Sequence, residues 1–413
     1  MKRLKIGLLA RIIIAIALGI GFGNVLPGEL VRVFVTFNGV FSEFLGFIIP
    51  LIILGLVTPA IADIGKEAGK MLVITTLVAY GATLFSGFLS YFTGVTLFPS
   101  MIAPGAPIEQ ISEAHDISPF FTVGIPPVMN VMTSLILAFT LGLGIAHLDS
   151  TALKNVCNDF KEIIVKTIQT VILPLLPIYI FGIFLNMTHS GQVYNILMVF
   201  IKIIGVIFLL HIFLLVFQYT IAALFVHRNP FKLLGKMMPA YFTALGTQSS
   251  AATIPVTLRQ TIKNGVTEDI AGFVIPLCAT IHLSGSTLKI VACALALMIM
   301  QGMPFDFPMF AGFIFMLGIT MVAAPGVPGG AIMAALGILS SMLGFGESEQ
   351  ALMIALYIAM DSFGTACNVT GDGAIALIID KFFGKKTTGL YNRKSIIELN
   401  KARKKKIFLE TGQ

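Results

Sequence analysis

Residues 323–330 read Ala323-Ala324-Pro325-Gly326-Val327-Pro328-Gly329-Gly330, and they divide the apolar stretch 306–343 into two halves. Neither half has the roughly 20 residues needed to cross about 30 Å of hydrocarbon. A second division of this kind, Gly246-Thr247-Gln248-Ser249-Ser250-Ala251-Ala252-Thr253, splits residues 229–263. Such bent halves predict re-entrant hairpins, whose open backbone must be satisfied by surrounding protein. Each hairpin is followed by one long apolar segment. Residues 266–300 are interrupted at His282-Leu283-Ser284-Gly285-Ser286-Thr287, and residues 348–383 near Asn368-Val369-Thr370-Gly371-Asp372-Gly373. Glycines and serines alone would read as close helix packing. Their matched order in two units instead predicts a repeat, with a binding site at the paired interruptions.

Working outward, the rest of the chain agrees with a membrane protein. Its hydrophobic fraction is 56% and its charged fraction 11%, against roughly 25% charged in soluble proteins. A water-facing surface cannot be built from so few charges. Further apolar segments run approximately over 7–27, 39–63, 70–97, 127–148, 166–187 and 193–226. With the N-terminus inside, the inner loops carry Lys66 and Lys70, then Lys154, Lys161 and Lys166, then Arg228, Lys232 and Lys236. The outer loops carry Glu29 with Arg32, then Glu109, Glu113 and Asp116. The positive-inside rule therefore holds across six crossings. It places the first hairpin on the cytoplasmic side, the second on the outside, and both termini in the cytoplasm. The hairpin units are then inverted repeats.

The net charge of +7 is concentrated at the ends, with ten basic residues between Lys381 and Lys406 and four more at Lys2, Arg3, Lys5 and Arg11. That distribution suits an inner-membrane topology and not a nucleic-acid partner. Cys157, Cys278, Cys293 and Cys367 have neither disulfide nor metal-site spacing. The basic, apolar N-terminus is read as a retained first helix and not as a cleaved leader.

Asp361, Thr365, Asn368 and Asp372 lie at offsets of 4, 7 and 11 residues from the first, so they share one stripe of a helix. A carboxylate at membrane depth costs about 2.5–3.5 kcal/mol on insertion scales. A bound cation, a substrate amine, a proton or a lysine from another segment could offset the two acids. Lys289 lies well inside an apolar segment, seven residues after His282. It could pair with Asp361 or Asp372, take part in coupling, or snorkel to an interface. His282 and Ser284 are two residues apart and point to different sides of a helix, so hydrolysis is disfavoured. The chain contains no P-loop to support driving by ATP.

Gly326-Val327-Pro328-Gly329, Ser249-Ser250 followed by Thr253-Ile254-Pro255-Val256-Thr257, and Asn368-Val369-Thr370-Gly371-Asp372 resemble the dicarboxylate/amino acid:cation symporters, which include the excitatory amino-acid transporters. The resemblance runs over nearly the whole chain. It implies an all-α membrane fold of eight transmembrane helices plus two re-entrant hairpins, assembled as a homotrimer and working as an elevator. Scaffold helices would lie in 1–69 and 127–187. The moving domain would comprise 70–97, 193–226, hairpin 229–263, broken helix 266–300, hairpin 306–343 and helix 348–385, with a basic tail over 386–413. The resemblance assigns the substrate amine to Asp361 and the substrate carboxylate to Asn368 and Ser250. Further contacts would come from Ser249, Gln248, Gly364, Thr365, Val327, Gly329 and Ser286. It gives a transported cation to Asp372 and Asn368, with backbone help near Cys278 and His282. It implies no resident cofactor and no enzymatic activity.

Departures from the family pattern shape the expected cargo. The Arg that acidic-substrate members carry three residues after the amine-binding Asp is Gly364 here, and the alternative Arg position in the first hairpin is Gln248. With no guanidinium to pair a second carboxylate, the expectation is a small neutral amino acid, with space vacated at Gly364. An acidic amino acid or dicarboxylate, or a member with uncoupled ion conductance, is the alternative. One sodium site looks dismantled, since its Asp is Ser284, its third-helix partners are Val78, Ala79 and Thr75, and its thioether is Leu283. His282 and Lys289 are coupling candidates, and the expected driving ion is sodium at reduced stoichiometry or a proton.

Overall fold

The computed structural model describes residues 7–66, 70–102, 117–148, 151–191, 193–322, 324, 326 and 328–384. Among these residues the regular structure is entirely helical. The N-terminal half contains α1 (Leu8–Gly23), α2 (Gly28–Lys66), α3 (Lys70–Met101) and α4 (Val131–His147), then α5 (Thr151–Thr167), a π-helical turn (Ile168–Ile172), α6 (Leu173–His189) and α7 (Val193–Val226). Among the described residues, six helices are long and apolar enough to cross a membrane: Gly28–Ala62, Lys70–Met101, Thr151–His189, Leu197–Val226, Glu268–Gln301 and Asp361–Gly384. The apolar helices α1 and α4 are shorter, at 16 and 17 residues, or about 24–26 Å at 1.5 Å per residue.

The short elements follow in the expected order. The first pair is α8 (Pro230–Thr247) and α9 (Ser250–Lys263), which fold back on each other. Asn229 caps α8 by accepting from the Lys232 N–H, and Pro230 fills the first turn, where its missing N–H is harmless. The interrupted segment that follows is α10 (Glu268–Ile281) and α11 (Ser284–Gln301), broken at His282-Leu283 as the sequence suggests. The second pair is α12 (Phe307–Val322) and α13 (Gly330–Leu343), again packed together. It leads into α14 (Glu347–Ala359) and α15 (Asp361–Gly384).

The last segment departs from the expected position of its break. The helix is continuous through Asn368–Gly373 and is interrupted at Met360 instead. The glycines there serve contact. A Cβ at Gly371 would meet Gln218 Oε1 at 2.5 Å and His282 Cε1 at 2.7 Å, and one at Gly373 would meet the Tyr219 hydroxyl at 2.7 Å. Two element boundaries also shift. The second helix starts at Gly28 and not near 39, and the fifth begins at Thr151, taking the basic loop into an amphipathic α5.

Packing sorts the helices into two neighbourhoods. In one, α2 lies against α4, α5 and α6, and α1 lies along α6. Small residues allow close approach there, Gly19 meeting the Phe181 carbonyl and Gly142 meeting Ile61. In the other, α11 is surrounded by α3, α7, α12 and α14. Nearly every residue of α11 is buried, including Lys289. A helix apolar all round belongs in the middle of a bundle. The site is built around it.

Candidate functional site

Four breaks in helical structure meet around α11. The first is the tip of the α8–α9 hairpin. Gln248 there adopts a left-handed conformation (φ 53°), rare for a residue with a Cβ. Its amide donates to Ser362 Oγ at 2.9 Å. Ser249 caps α9 and donates its hydroxyl to the Gly326 carbonyl at 2.7 Å, joining the two hairpin tips. Ser250 is buried beside them. The second break is the start of α13, where Gly329 is also left-handed (φ 73°), a conformation glycine takes without steric penalty.

Asp361 ties three of these elements together. One carboxylate oxygen accepts the Gly329 N–H at 2.8 Å, at the N-terminus of α13, where the helix dipole favours negative charge. The other lies 3.0 Å from Lys289 Nζ. Both side chains are buried. The ammonium also stands 3.4 Å from the centre of the Tyr357 ring and 3.4 Å from the Tyr357 carbonyl, a cation–π contact in a dry setting. Space for it comes from Gly364, where a Cβ would lie 2.8 Å from both Cε and Nζ of Lys289. The space expected to be vacant at Gly364 is therefore filled by the protein's own lysine.

Asp372, three turns further along α15, has a different partner. His282 Nδ1 lies 2.9 Å from one of its oxygens. The second oxygen is buried and has no hydrogen-bond partner among the described residues. His282 Nε2 is 3.4 Å from the Gln218 amide nitrogen, which also donates to Ser284 Oγ at 3.2 Å. A neutral imidazole satisfies this arrangement, donating from Nδ1 and accepting at Nε2. The break after Ile281 thus separates the two candidate cations, sending His282 to Asp372 and Lys289 to Asp361.

Asn368 sits between the pairs. Its carbonyl oxygen accepts from the Gly285 and Ser286 amides at 2.8 and 3.3 Å, and its nitrogen donates to Ser286 Oγ at 3.0 Å. Tyr357 donates to the same hydroxyl at 3.0 Å. The Asn368 side chain is thus turned onto the N-terminus of α11. Thr365 is buried one turn after Asp361. The Cys278 carbonyl accepts the His282 N–H at 2.9 Å. Val327 lies outside the described residues, as do Glu109, Glu113, Asp116 and the tail 386–413.

The sequence that builds this geometry, with its acids buried where two helical hairpins meet two broken helices, matches a known family. The profile of the sodium:dicarboxylate symporter family fits residues 8–382. The chain belongs to this family. It is a membrane transport protein, as the family's members are. It is 27% identical over 400 residues to a serine/threonine transporter, SstT, of Acinetobacter baylyi, covering 92% of this chain and 98% of that one. It is likewise 27% identical to the serine/threonine transporter SstT of Acinetobacter baumannii, covering 91% of this chain and 97% of that one. Against the bovine excitatory amino acid transporter 1 it is 26% identical over 303 residues, which is 69% of this chain and 54% of the relative.

Within this family member, three groups at the site escaped the sequence reading. Gln218 bridges His282 and Ser284, His211 lies 3.0 Å from the Gly285 carbonyl through Nε2, and Tyr357 holds Lys289. His211 and Gln218 are seven residues apart in a largely apolar α7, and so lie on one face. That spacing was the available signal. Tyr357 lies one turn before Asp361, a weaker signal because tyrosine is common in apolar helices. At the positions read as a dismantled sodium site, Ala79 is buried without a polar side chain and the Thr75 hydroxyl donates to its own helix at Met71.

Proposed function

We propose that this chain is a cation-coupled carrier of a small neutral amino acid, moving one monovalent cation with each substrate. The balance of buried charge carries the reading. Among the described residues, the buried acids, lysine and histidines around α11 and α15 are Asp361, Asp372, Lys289, His282 and His211. Each imidazole is served by a neutral tautomer: His282 as above, and His211 donating from Nε2 to the Gly285 carbonyl. The set then carries one net negative charge. A single sodium ion or proton at Asp372 balances it, and the unpartnered Asp372 oxygen supports that place. A zwitterionic cargo adds no net charge, whereas an acidic one would bury a further carboxylate at a cost of several kcal/mol.

The Asp361–Lys289 pair is also complementary to an α-amino acid. The substrate ammonium takes Asp361, and its carboxylate turns to Lys289 and to the N–H groups at the hairpin tips and at the start of α11. The two bacterial relatives named as serine/threonine transporters support a small neutral cargo. In this reading α1, α2, α4 and α5–α6 form a scaffold. The remaining helices form an elevator domain containing two re-entrant hairpins, within a homotrimer in the inner membrane with cytoplasmic termini. The α12–α13 hairpin opens to admit substrate, closes on Asp361 through Gly329, and the loaded domain crosses.

One observation favours a second reading. The Lys289 ammonium stands beside Gly364, where acidic-substrate relatives place an arginine, and so could hold the distal carboxylate of an acidic amino acid or dicarboxylate. Competition against labelled serine in proteoliposomes separates the two. Neutral amino acids should displace the label, and stronger displacement by aspartate, glutamate or succinate would overturn the neutral-cargo reading.

A further inference from the structure

We propose that Lys289 is a built-in stand-in for the substrate amine, closing the empty site so that the unloaded domain can return across the membrane. The inference rests on the carrier reading above and adds to it how the empty half of the cycle is made possible. A carrier must move its site both loaded and empty. With a bare Asp361 the empty domain would expose a second uncompensated carboxylate to hydrocarbon, in addition to Asp372.

Four observations point to a stand-in and not to a merely structural pair. The ammonium reaches the oxygen of Asp361 that Gly329 leaves open, at 3.0 Å against 2.8 Å on the other oxygen. The α12–α13 hairpin is therefore latched onto Asp361 while its charge is neutralised from α11. Ser249 to Gly326 completes the closure between the two tips. From the same position the ammonium also touches the Tyr357 ring and carbonyl, each at 3.4 Å, so it keeps partial compensation when a substrate ammonium claims the carboxylate. Its tip occupies space that exists because residue 364 is glycine, so the ammonium and the position it fills are matched across two helices. An incoming amino acid exchanges one ammonium for another on Asp361, and its carboxylate meets the displaced lysine. Total charge is conserved.

The test compares full-length wild type, Lys289→Met and Lys289→Met/Asp361→Asn in liposomes. For wild type and Lys289→Met, uptake of labelled serine at saturating concentration is measured into empty vesicles, which requires the empty return, and into serine-loaded vesicles, which does not. Lys289→Met should lower the ratio of net uptake to exchange tenfold or more. A ratio equal to that of wild type would overturn the proposal. In a second arm without substrate, distances between spin labels on α5 and α8 report the position of the empty domain. Wild type should populate two positions and Lys289→Met one. The charge-balanced double variant should populate two again, although it cannot bind an amine. A double variant confined like Lys289→Met would show that the lysine acts by packing and not by charge, and would reject the stand-in. The second arm needs no cargo. Absence of serine transport by wild type would therefore count against the neutral-cargo reading, while the label distances would still decide the role of Lys289.

Discussion

At the scale of single residues, the site is a set of close fits whose tolerance depends on what each neighbour can do. A Cβ on Gly364 meets the flexible end of Lys289, whereas a Cβ on Gly285 meets the Gly364 carbonyl and Cys367 Cβ, both at 2.7 Å. Gly285→Ala should therefore lower stability by about 1–3 kcal/mol through overpacking. Gly364→Ala should destabilise less, because the lysine tip can move aside. Thermal unfolding in detergent ranks the two, and a larger loss for Gly364→Ala would contradict the placement of Lys289. Removing one member of the buried pair leaves a lone charge, costing about 3–5 kcal/mol. Asp361→Ala should accordingly abolish uptake and depress the melting temperature. Adding Lys289→Met to it should recover most of the stability but none of the uptake. Single and double losses that simply add would show that the two side chains do not interact.

The same scale shows what the sequence could and could not reveal. The stripe of Asp361, Asn368 and Asp372 follows from helical period alone, and the structure keeps it on one continuous helix. Which acid Lys289 meets does not follow, because the non-helical backbone at His282-Leu283 breaks the helical register between the two candidate cations. Gly364 reads as a vacancy from sequence. Only the approach of another helix shows the vacancy to be filled.

At the scale of elements, the tips of the two helical hairpins are joined to each other, and in the proposed carrier they would carry the gating chemistry. Ser249 both caps α9 and bonds to Gly326, so Ser249→Ala should loosen both the closure and the fold. Loss of the bond to Gly326, about 1 kcal/mol, predicts a KM for serine raised several-fold, and loss of the cap lowers stability by about 0.5–2 kcal/mol. An unchanged KM would remove this contact from the gate. The pairs of short helices, α8 with α9 and α12 with α13, were legible because residues 246–253 and 323–330 divide their apolar stretches into halves too short to span. The break in the final segment was misplaced because Gly371 and Gly373 carry the same sequence signal as a turn. Their neighbours Gln218, His282 and Tyr219 come from other elements, and no local reading brings those side chains together.

Over the whole molecule, a chain belonging to the sodium:dicarboxylate symporter family places a tethered ammonium at one of its two buried acids and, in the proposed reading, a neutral imidazole at the other, which leaves one negative charge for a transported ion. Lys289 sits at Asp361 and His282 at Asp372. Fewer ions should therefore be needed per cycle. Imposed sodium and pH gradients, applied separately, should show a single driving ion with a Hill slope near one, and a slope near three for sodium would restore the full set of ion sites. The most direct test of the central claim is the ratio of charge to substrate, with current and labelled serine uptake measured together on the same proteoliposomes. The account predicts one positive charge per serine. Two or more charges per serine, or current driven by aspartate and not by serine, would contradict it.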